Sequence, residues 1–287
     1  MIAVTGATGN LGGLVIDHLL DRGVAPSEIV AAVRSPEKAS DLTDRGVEVR
    51  KADYDEPDTL DAAFEGIDQL LLISSSEVGR RVTQHRNVVD AAAENDVDYL
   101  VYTSMLRADS SPLLMAEEHK ATEEAIRDSG IPFTLLRNGW YIENYTEQIG
   151  QALDQEAFVG SAEDGRISAA TRSDYAEAAA VVLTEDGHEG EVYELGGDEA
   201  FTMEELAAEV AEQSGREIVY QDLPAEEYKQ VLVDVGLPEG YAEVLADSDE
   251  GIADGHLYTE SDDLRRLIGH PTTPLEEAVA EALADRD

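Results

Sequence analysis

Residues 2–12 read Ile2-Ala3-Val4-Thr5-Gly6-Ala7-Thr8-Gly9-Asn10-Leu11-Gly12. An apolar run of strand length leads into three glycines spaced G-x-x-G-x-x-G, and an amphipathic segment, residues 11–22, follows. Each glycine has its own physical task. Gly6 supplies the positive φ of a tight turn. Gly9 lacks a side chain where a pyrophosphate must approach the backbone, and Gly12 lets the helix pack close to the strand. The helix then aims its unpaired N–H groups and the positive end of its dipole at the turn, which suits an anion. A capping turn without a ligand is the competing reading. The strand before and the helix after favour the nucleotide site.

The alternation continues outward from this motif. Residues 29–33, 47–51, 69–73, 99–103 and 133–136 are short apolar runs of strand length. Between them lie amphipathic segments at 11–22, 36–42, 58–64, 78–94 and 112–129. Ser35-Pro36 and Ser111-Pro112 read as a cap followed by a first-turn proline. The pattern predicts an α/β Rossmann fold, a doubly wound parallel sheet with helices on both faces. Past residue 150 the pattern shifts to helices at 173–183, 203–214, 224–235, 241–246 and 274–284, with strands at 192–195 and 217–221. Thr202 is placed to cap the helix that begins at Met203. The expected division is a nucleotide-binding domain over 1–150 and a smaller helix-rich C-terminal lobe over 151–287, partly interleaved with the sheet.

Charge is the second strong feature. Asp and Glu number 63 against 20 Lys and Arg, a formal net charge of −43. Only Lys38, Lys51, Lys120 and Lys229 are lysines. Such a surface repels nucleic acid and anionic membranes. The acids are spread along the chain, which argues against a disordered tail and for a protein adapted to a salt-rich cytoplasm. There is no cysteine, so disulfides and thiolate chemistry are excluded. The longest apolar run, 178–183, is too short to span a bilayer, and a strand starting at residue 2 leaves no room for a signal peptide.

Ligands on such sheets sit beyond the carboxyl ends of the strands, so the residues there are read for chemistry. Arg34 closes the second strand, where an arginine can pair with the 2′-phosphate of NADP. An exposed loop arginine is the bland alternative. Asp53, after the third strand, could accept from an adenine amine or cap the next helix with Asp55. Ser74, Ser75 and Ser76 follow the fourth strand, where small side chains let the nicotinamide half lie near the backbone; they could equally cap a helix starting near Val78. Tyr102-Thr103-Ser104 ends the fifth strand. In short-chain dehydrogenases a serine here works with a Tyr-x-x-x-Lys helix motif. Four residues before the four lysines stand Arg34, Val47, Ala116 and Ala225, so that motif is absent. Lys120, with Ala116 in the tyrosine position, is the one weak catalytic candidate, and its neighbour His119 reads as a surface histidine. The sixth strand runs into Asn138-Gly139-Trp140-Tyr141-Ile142-Glu143-Asn144-Tyr145. Trp140, Tyr141 and Asn144 could wall a flat substrate pocket or belong to core. The six histidines include no i, i+4 pair, so no metal site is expected.

Several longer stretches carry a family resemblance. Residues 6–12, 70–80 (LLLISSSEVGR), 84–88 (QHRNV), 134–145 (TLLRNGWYIENY), 170–175 (ATRSDY) and 267–273 (LIGHPTT) together resemble type-2 NAD(P)H:quinone oxidoreductases. These are atypical short-chain dehydrogenases of the NmrA-like branch, and the similarity covers nearly the whole chain. The resemblance implies NADPH bound along the strand ends and hydride transfer to a small-molecule quinone. It implies cofactor contacts from Gly6, Ala7, Thr8, Gly9, Asn10 and Leu11, from Arg34, from Ser74, Ser75 and Ser76, and from Asn138, Gly139, Trp140, Tyr141, Ile142 and Glu143. A non-catalytic NADP(H)-sensing regulator of the same branch is the alternative. The oligomeric state is left open.

The charge generates a test. Screening at about 1 M salt shortens the Debye length to roughly 3 Å and suppresses the self-repulsion. The melting temperature is therefore expected to climb steadily from dilute buffer to molar KCl. A flat profile in a calorimetric salt series would contradict it.

Overall fold

The computed structural model describes residues 1–284 and 286. Its first half alternates β1 (Ile2–Thr5), α1 (Asn10–Asp21), β2 (Ile29–Val33), α2 (Ser40–Asp44), β3 (Glu48–Lys51), α3 (Pro57–Phe64), β4 (Gln69–Leu72), α4 (Arg81–Glu94), β5 (Tyr99–Met105), α5 (Leu114–Ser129) and β6 (Phe133–Asn138). There follow α6 (Glu143–Thr146), α7 (Ile149–Gln155), β7 (Ala157–Gly160), α8 (Arg172–Thr184), β8 (Val192–Leu195), α9 (Met203–Ser214), β9 (Val219–Asp222), α10 (Ala225–Asp234), α11 (Glu239–Ala253), α12 (Asp263–Ile268) and α13 (Leu275–Ala284).

Seven strands form one sheet in the order β3-β2-β1-β4-β5-β6-β8, and the first six pair in parallel. This is the expected Rossmann sheet. The strand order reverses at β1/β4, which puts the glycine turn at the topological switch point. β1, β2 and β5 are buried along their whole length, as strands covered on both faces must be. β3, at the edge, carries Glu48, Arg50 and Lys51 and is partly exposed, which discourages edge pairing.

Two compact units result. One comprises Met1–Ala108, Glu117–Asn138 and Arg172–Tyr193; the other comprises Asp109–Ala116, Gly139–Thr171 and Glu194–Asp287. The chain passes from the first unit to the second at 108/109 and again at 138/139, and returns to the first unit for α8. That helix is buried around most of its circumference through Ala176, Ala178, Ala179, Ala180, Val181, Val182 and Leu183. It packs on α1, where His18 Nε2 meets Ser173 Oγ at 3.1 Å and Arg22 Nε donates to Thr184 Oγ1 at 2.9 Å. In the second unit β7 and β9 pair in parallel. Thr202 caps α9 in a full capping box with Glu205.

Four elements differ from the sequence pattern for identifiable reasons. β5 and β6 extend to Met105 and Asn138, because the polar pair Ser104–Arg137 joins the ladder and is satisfied by Glu123. α4 begins at Arg81, not near 78, since Gly79 takes φ +84° and interrupts the turn. α11 runs far beyond 241–246: Asp247 and Asp249, which break the apolar run, accept the N–H groups of Leu114 (2.8 Å) and Ser161 (2.9 Å).

The two adjacent helix glycines give a paired test. A Cβ on Gly12 would lie 2.4 Å from the Gly6 carbonyl oxygen, whereas one on Gly13 would meet only Ala7 O at 3.8 Å. Gly12→Ala is expected to destabilise by ~1–3 kcal/mol through overpacking. Gly13→Ala is expected to stabilise by up to ~1 kcal/mol through helix propensity. Denaturant titration of both variants reads the two signs.

Candidate functional site

The glycine turn is built as an anion cradle. Gly6 takes φ +59°, and the Gly9 N–H donates to Gly6 O at 2.8 Å. A Cβ on Gly9 would stand 3.1 Å from the same oxygen, closer than an ordinary van der Waals contact, so the backbone there is most accessible with glycine. α1 starts from Gly9 with no side-chain cap and no acid in its first turn. The N–H groups of the first turn, which have no intrahelical acceptor, therefore face outward beside the end of β1. These features fit a pyrophosphate.

On the other side of the switch point, hydrogen bonds fix the segment after β4. Thr5 Oγ1 donates to Leu71 O (3.0 Å) and accepts the Ile73 N–H (2.9 Å), with the Tyr54 hydroxyl 2.6 Å away. Ser74 N–H donates to Thr103 Oγ1 and Ser75 N–H donates to His85 Nε2, each at 2.9 Å. Ser75 Oγ accepts the Glu77 N–H at 3.1 Å, and Ser75 O accepts Arg81 Nε at 2.7 Å. Arg81 is itself buried against Glu118 (3.0 Å), whose other oxygen takes the Gly79 N–H (3.0 Å). Ser74–Ser76 do not cap α4, whose N-cap is Arg80.

His85 works here in one tautomer. A backbone N–H donates to its Nε2, so Nδ1 carries the proton and donates to Thr122 Oγ1 at 2.9 Å, and Thr122 donates on to Glu118 O. Burial, assisted by the Arg81 charge, pushes the His85 pKa down to about 3. His119 is not a surface residue. It is 4% exposed, and its Nδ1 meets the Tyr102 hydroxyl at 2.8 Å. Burial holds it well below the ordinary histidine range, with Arg81 and His85 adding to the shift. Its neighbour Lys120 is exposed, and Ala116 is buried.

Ser104, at the short-chain dehydrogenase serine position, is buried and donates to Glu123 Oε1 at 2.7 Å. Arg137 grips the same carboxylate through Nε (2.9 Å) and Nη2 (2.7 Å). This serine is thus held by a buried ion pair. Arg34 lies just past β2 and pairs with Glu77 at 3.1 Å. Asp53 Oδ1 accepts the Asp55 N–H at 3.0 Å, and α3 starts instead from Glu56 with Pro57 at its first position, so Asp53 is no helix cap.

The first unit therefore gathers Gly6–Leu11, Arg34 and Ser74–Ser76 at the ends of β1, β2 and β4, with Asn138 at the end of β6. Gly139, Trp140, Tyr141, Ile142, Glu143 and Asn144 belong to the second unit. Their backbone is strung along Ala170: Ala170 N–H donates to Trp140 O (3.1 Å) and Ile142 N–H donates to Ala170 O (3.0 Å). Ile142 is buried, while Trp140, Tyr141 and Asn144 are half-buried. A cavity of about 1120 Å³ in the second unit, lined by Asp198, Glu205, Glu260 and Arg265 among others, contains none of the candidate residues. Among the described residues no His, Asp and Glu cluster could hold a metal. No helix among them is long and apolar enough to cross a membrane. Sequence reading passes over Arg81, Glu118 and Glu123. The one available signal for His85 is a histidine spaced to turn back from the next helix onto the strand end.

Residues 1–281 match the NmrA-like family. The chain belongs to that family. It is 53% identical over 280 residues to quinone oxidoreductase 2 of Escherichia coli, covering 98% of each chain. A crystal structure of an Escherichia coli NADPH-dependent quinone oxidoreductase complexed with NADPH aligns with TM-score 0.95, covering 99% of this chain and all of that one. Citrobacter sp. triphenylmethane reductase, complexed with NADP(H), aligns with TM-score 0.93 at 44% identity over 98% of this chain and all of that one.

The buried histidines carry a pH signature. Both are neutral when folded and titrate normally, near 6.5, when unfolded. The unfolded chain thus binds protons first as pH falls below that value, so stability present above it is lost towards the folded pKa. Each contributes up to ~1.4 kcal/mol per pH unit to this slope. His85→Gln is expected to flatten stability against pH between 6.5 and 5 by about one proton. Urea titrations across that range, at constant KCl, measure the slope.

Proposed function

We propose that this chain is an NADPH-dependent quinone reductase. The observation that carries the reading is the uncapped glycine turn at the switch point, in a chain 53% identical over 280 residues to a quinone oxidoreductase. When bound, NADPH supplies a hydride, and with one solvent proton this converts a quinone to its hydroquinone. The chain supplies binding and orientation. The first-turn N–H groups of α1, with Gly6–Leu11, hold the pyrophosphate. Arg34 pairs with the 2′-phosphate. The backbone of Ser74–Ser76, fixed by Thr103 and His85, lines the nicotinamide half together with Asn138. Trp140, Tyr141 and Asn144 form the quinone wall.

No lysine is needed. Quinones are easily reduced, so strong carbonyl polarisation is dispensable, and correct placement of the reacting atoms at about 3–3.5 Å carries the rate. Lys120 is exposed and Ser104 is committed to Glu123, which supports a reaction without a Tyr-Lys proton relay. The enzyme is further read as a salt-adapted, cytoplasmic member of the short-chain dehydrogenase group, supported by its net charge of −43. Its nucleotide domain lies in the N-terminal half and its substrate lobe in the C-terminal half.

Steady-state assays in high salt test this. Benzoquinone or naphthoquinone should oxidise NADPH readily, while NADP with simple secondary alcohols should give no turnover. Lys120→Ala should remain within a few-fold of wild type, against the roughly 10²-fold loss expected for a general acid–base group. Tight NADPH binding with no quinone turnover would identify a cofactor-sensing regulator instead.

A further inference from the structure

β2 and β4 flank β1 in the sheet, so residues just past their ends stand on either side of the glycine turn. Arg34 follows β2, and Glu77 lies in the segment after β4. The pair Arg34 Nη1–Glu77 Oε1, at 3.1 Å, therefore bridges the two loops. The other carboxylate oxygen of Glu77 takes Arg80 Nη1 at 2.8 Å, and Arg80 Nη2 reaches Asp55 Oδ1 at 2.7 Å. Gln84 Nε2 lies 3.2 Å from both acids. One carboxylate thus sits between two guanidinium groups, at the end of the site where the ribose phosphate belongs.

We propose that Arg80 is a second specificity-determining residue for the 2′-phosphate of NADPH, and that Glu77 is the internal anion which that phosphate displaces. The inference rests on the NADPH reading above. Its physical basis is a comparison of charges and exposures. Arg34 and Arg80 are 69% and 58% exposed, so their bridges to Glu77 are easily exchanged. A phosphate monoester brings nearly two charges and three acceptor oxygens, enough to engage two guanidinium groups where a carboxylate serves them singly. Arg81 and Arg137, by contrast, are buried in ion pairs and are committed.

The need for a second cation follows from the surroundings. Asp53, Asp55, Glu56 and Glu77 all lie in the segments after β3 and β4, and the whole chain carries −43. A polyanionic cofactor enters against this field, and Lys51 is already paired with Glu56 at 2.6 Å. Arg80 also has a fixed base from which to act. The loop beneath it is held by Ser75 Oγ on the Glu77 N–H and by Glu118 on the Gly79 N–H, while its own exposed side chain is engaged by the exchangeable carboxylates Glu77 and Asp55.

The test compares two nucleotides that differ only in the 2′-phosphate. Dissociation constants for NADPH and NADH are measured by nicotinamide fluorescence at fixed KCl for wild type, Arg80→Ala, Arg80→Lys and Glu77→Gln. Arg80→Ala should weaken NADPH about tenfold or more, the loss of one charge-assisted contact, and leave NADH within about twofold. Arg80→Lys should recover part of the loss, because it restores the charge without the planar fork. Glu77→Gln should tighten NADPH and leave NADH unmoved, because it removes the competing anion. An unchanged NADPH/NADH ratio in Arg80→Ala, or an equal loss for both nucleotides, overturns the proposal while quinone turnover by wild type remains intact. Absence of quinone turnover with the ratio shifted as expected would instead overturn the functional reading and leave this one standing.

Discussion

The contact between the Gly12 backbone and the Gly6 carbonyl governs the rest of the molecule. With hydrogen at both positions, α1 lies so close to its own entry turn that no Cβ fits between them. That approach is what leaves the first turn of the helix bare beside the end of β1. It also fixes the other face of α1, which must then be covered by something equally close-packed. α8 does this with a run of alanines and valines, returning to the first unit after the chain has already built part of the second. The glycine spacing near the N-terminus thus sets a demand that residues far along the sequence meet.

Opposite the glycine turn, the segment after β4 is held by groups that do no acid–base chemistry at neutral pH. His85 and His119 are kept neutral by burial; His85 accepts the Ser75 N–H and donates to Thr122, and His119 shares a hydrogen bond with the Tyr102 hydroxyl. Ser75 N–H on His85 and Ser75 O on Arg81 fix the two successive peptide units that flank residue 75. Neutral rings in a low-dielectric setting make such bonds strong, and the same setting makes them costly to break. Ser104, in the same strand-end region, serves a buried Glu123–Arg137 pair. Removing one partner of such a pair costs about 3–5 kcal/mol. A reaction governed by orientation is compatible with this arrangement, whereas a reaction needing a mobile proton at Ser104 is not.

The sheet was legible because its evidence is local and periodic. Buried parallel strands appear as unbroken apolar runs, and the glycine spacing marks one turn unambiguously. The Thr202 cap of α9 was legible because its signal, too, is local. What escaped was everything decided by long-range partners. His119 and Lys120 are adjacent, and composition says nothing about which of them faces inward; Tyr102, seventeen residues earlier in the chain, decides it. The ends of β5 and β6 look polar until Glu123 is seen to neutralise Arg137. Asp247 and Asp249 look like helix breakers until the Leu114 and Ser161 N–H groups they accept are known. These misses involve polar residues held by partners distant in sequence, which a one-dimensional pattern cannot report.

The distribution of cations links stability to function. Arg81 and Arg137 are the buried arginines among the described residues, and both face carboxylates that are themselves largely buried. Ion pairs of this kind are screened only weakly by salt, whereas repulsion among surface acids is screened strongly. Raising the ionic strength therefore relieves the surface without loosening the internal pairs that shape the strand ends. Exposed bridges such as Arg34–Glu77–Arg80 respond in the opposite sense, since they weaken as salt rises. The molecule thus contains two electrostatic populations. The buried one shapes the strand ends and tolerates salt, and the exposed one links the segments after β2 and β4 and stays exchangeable there.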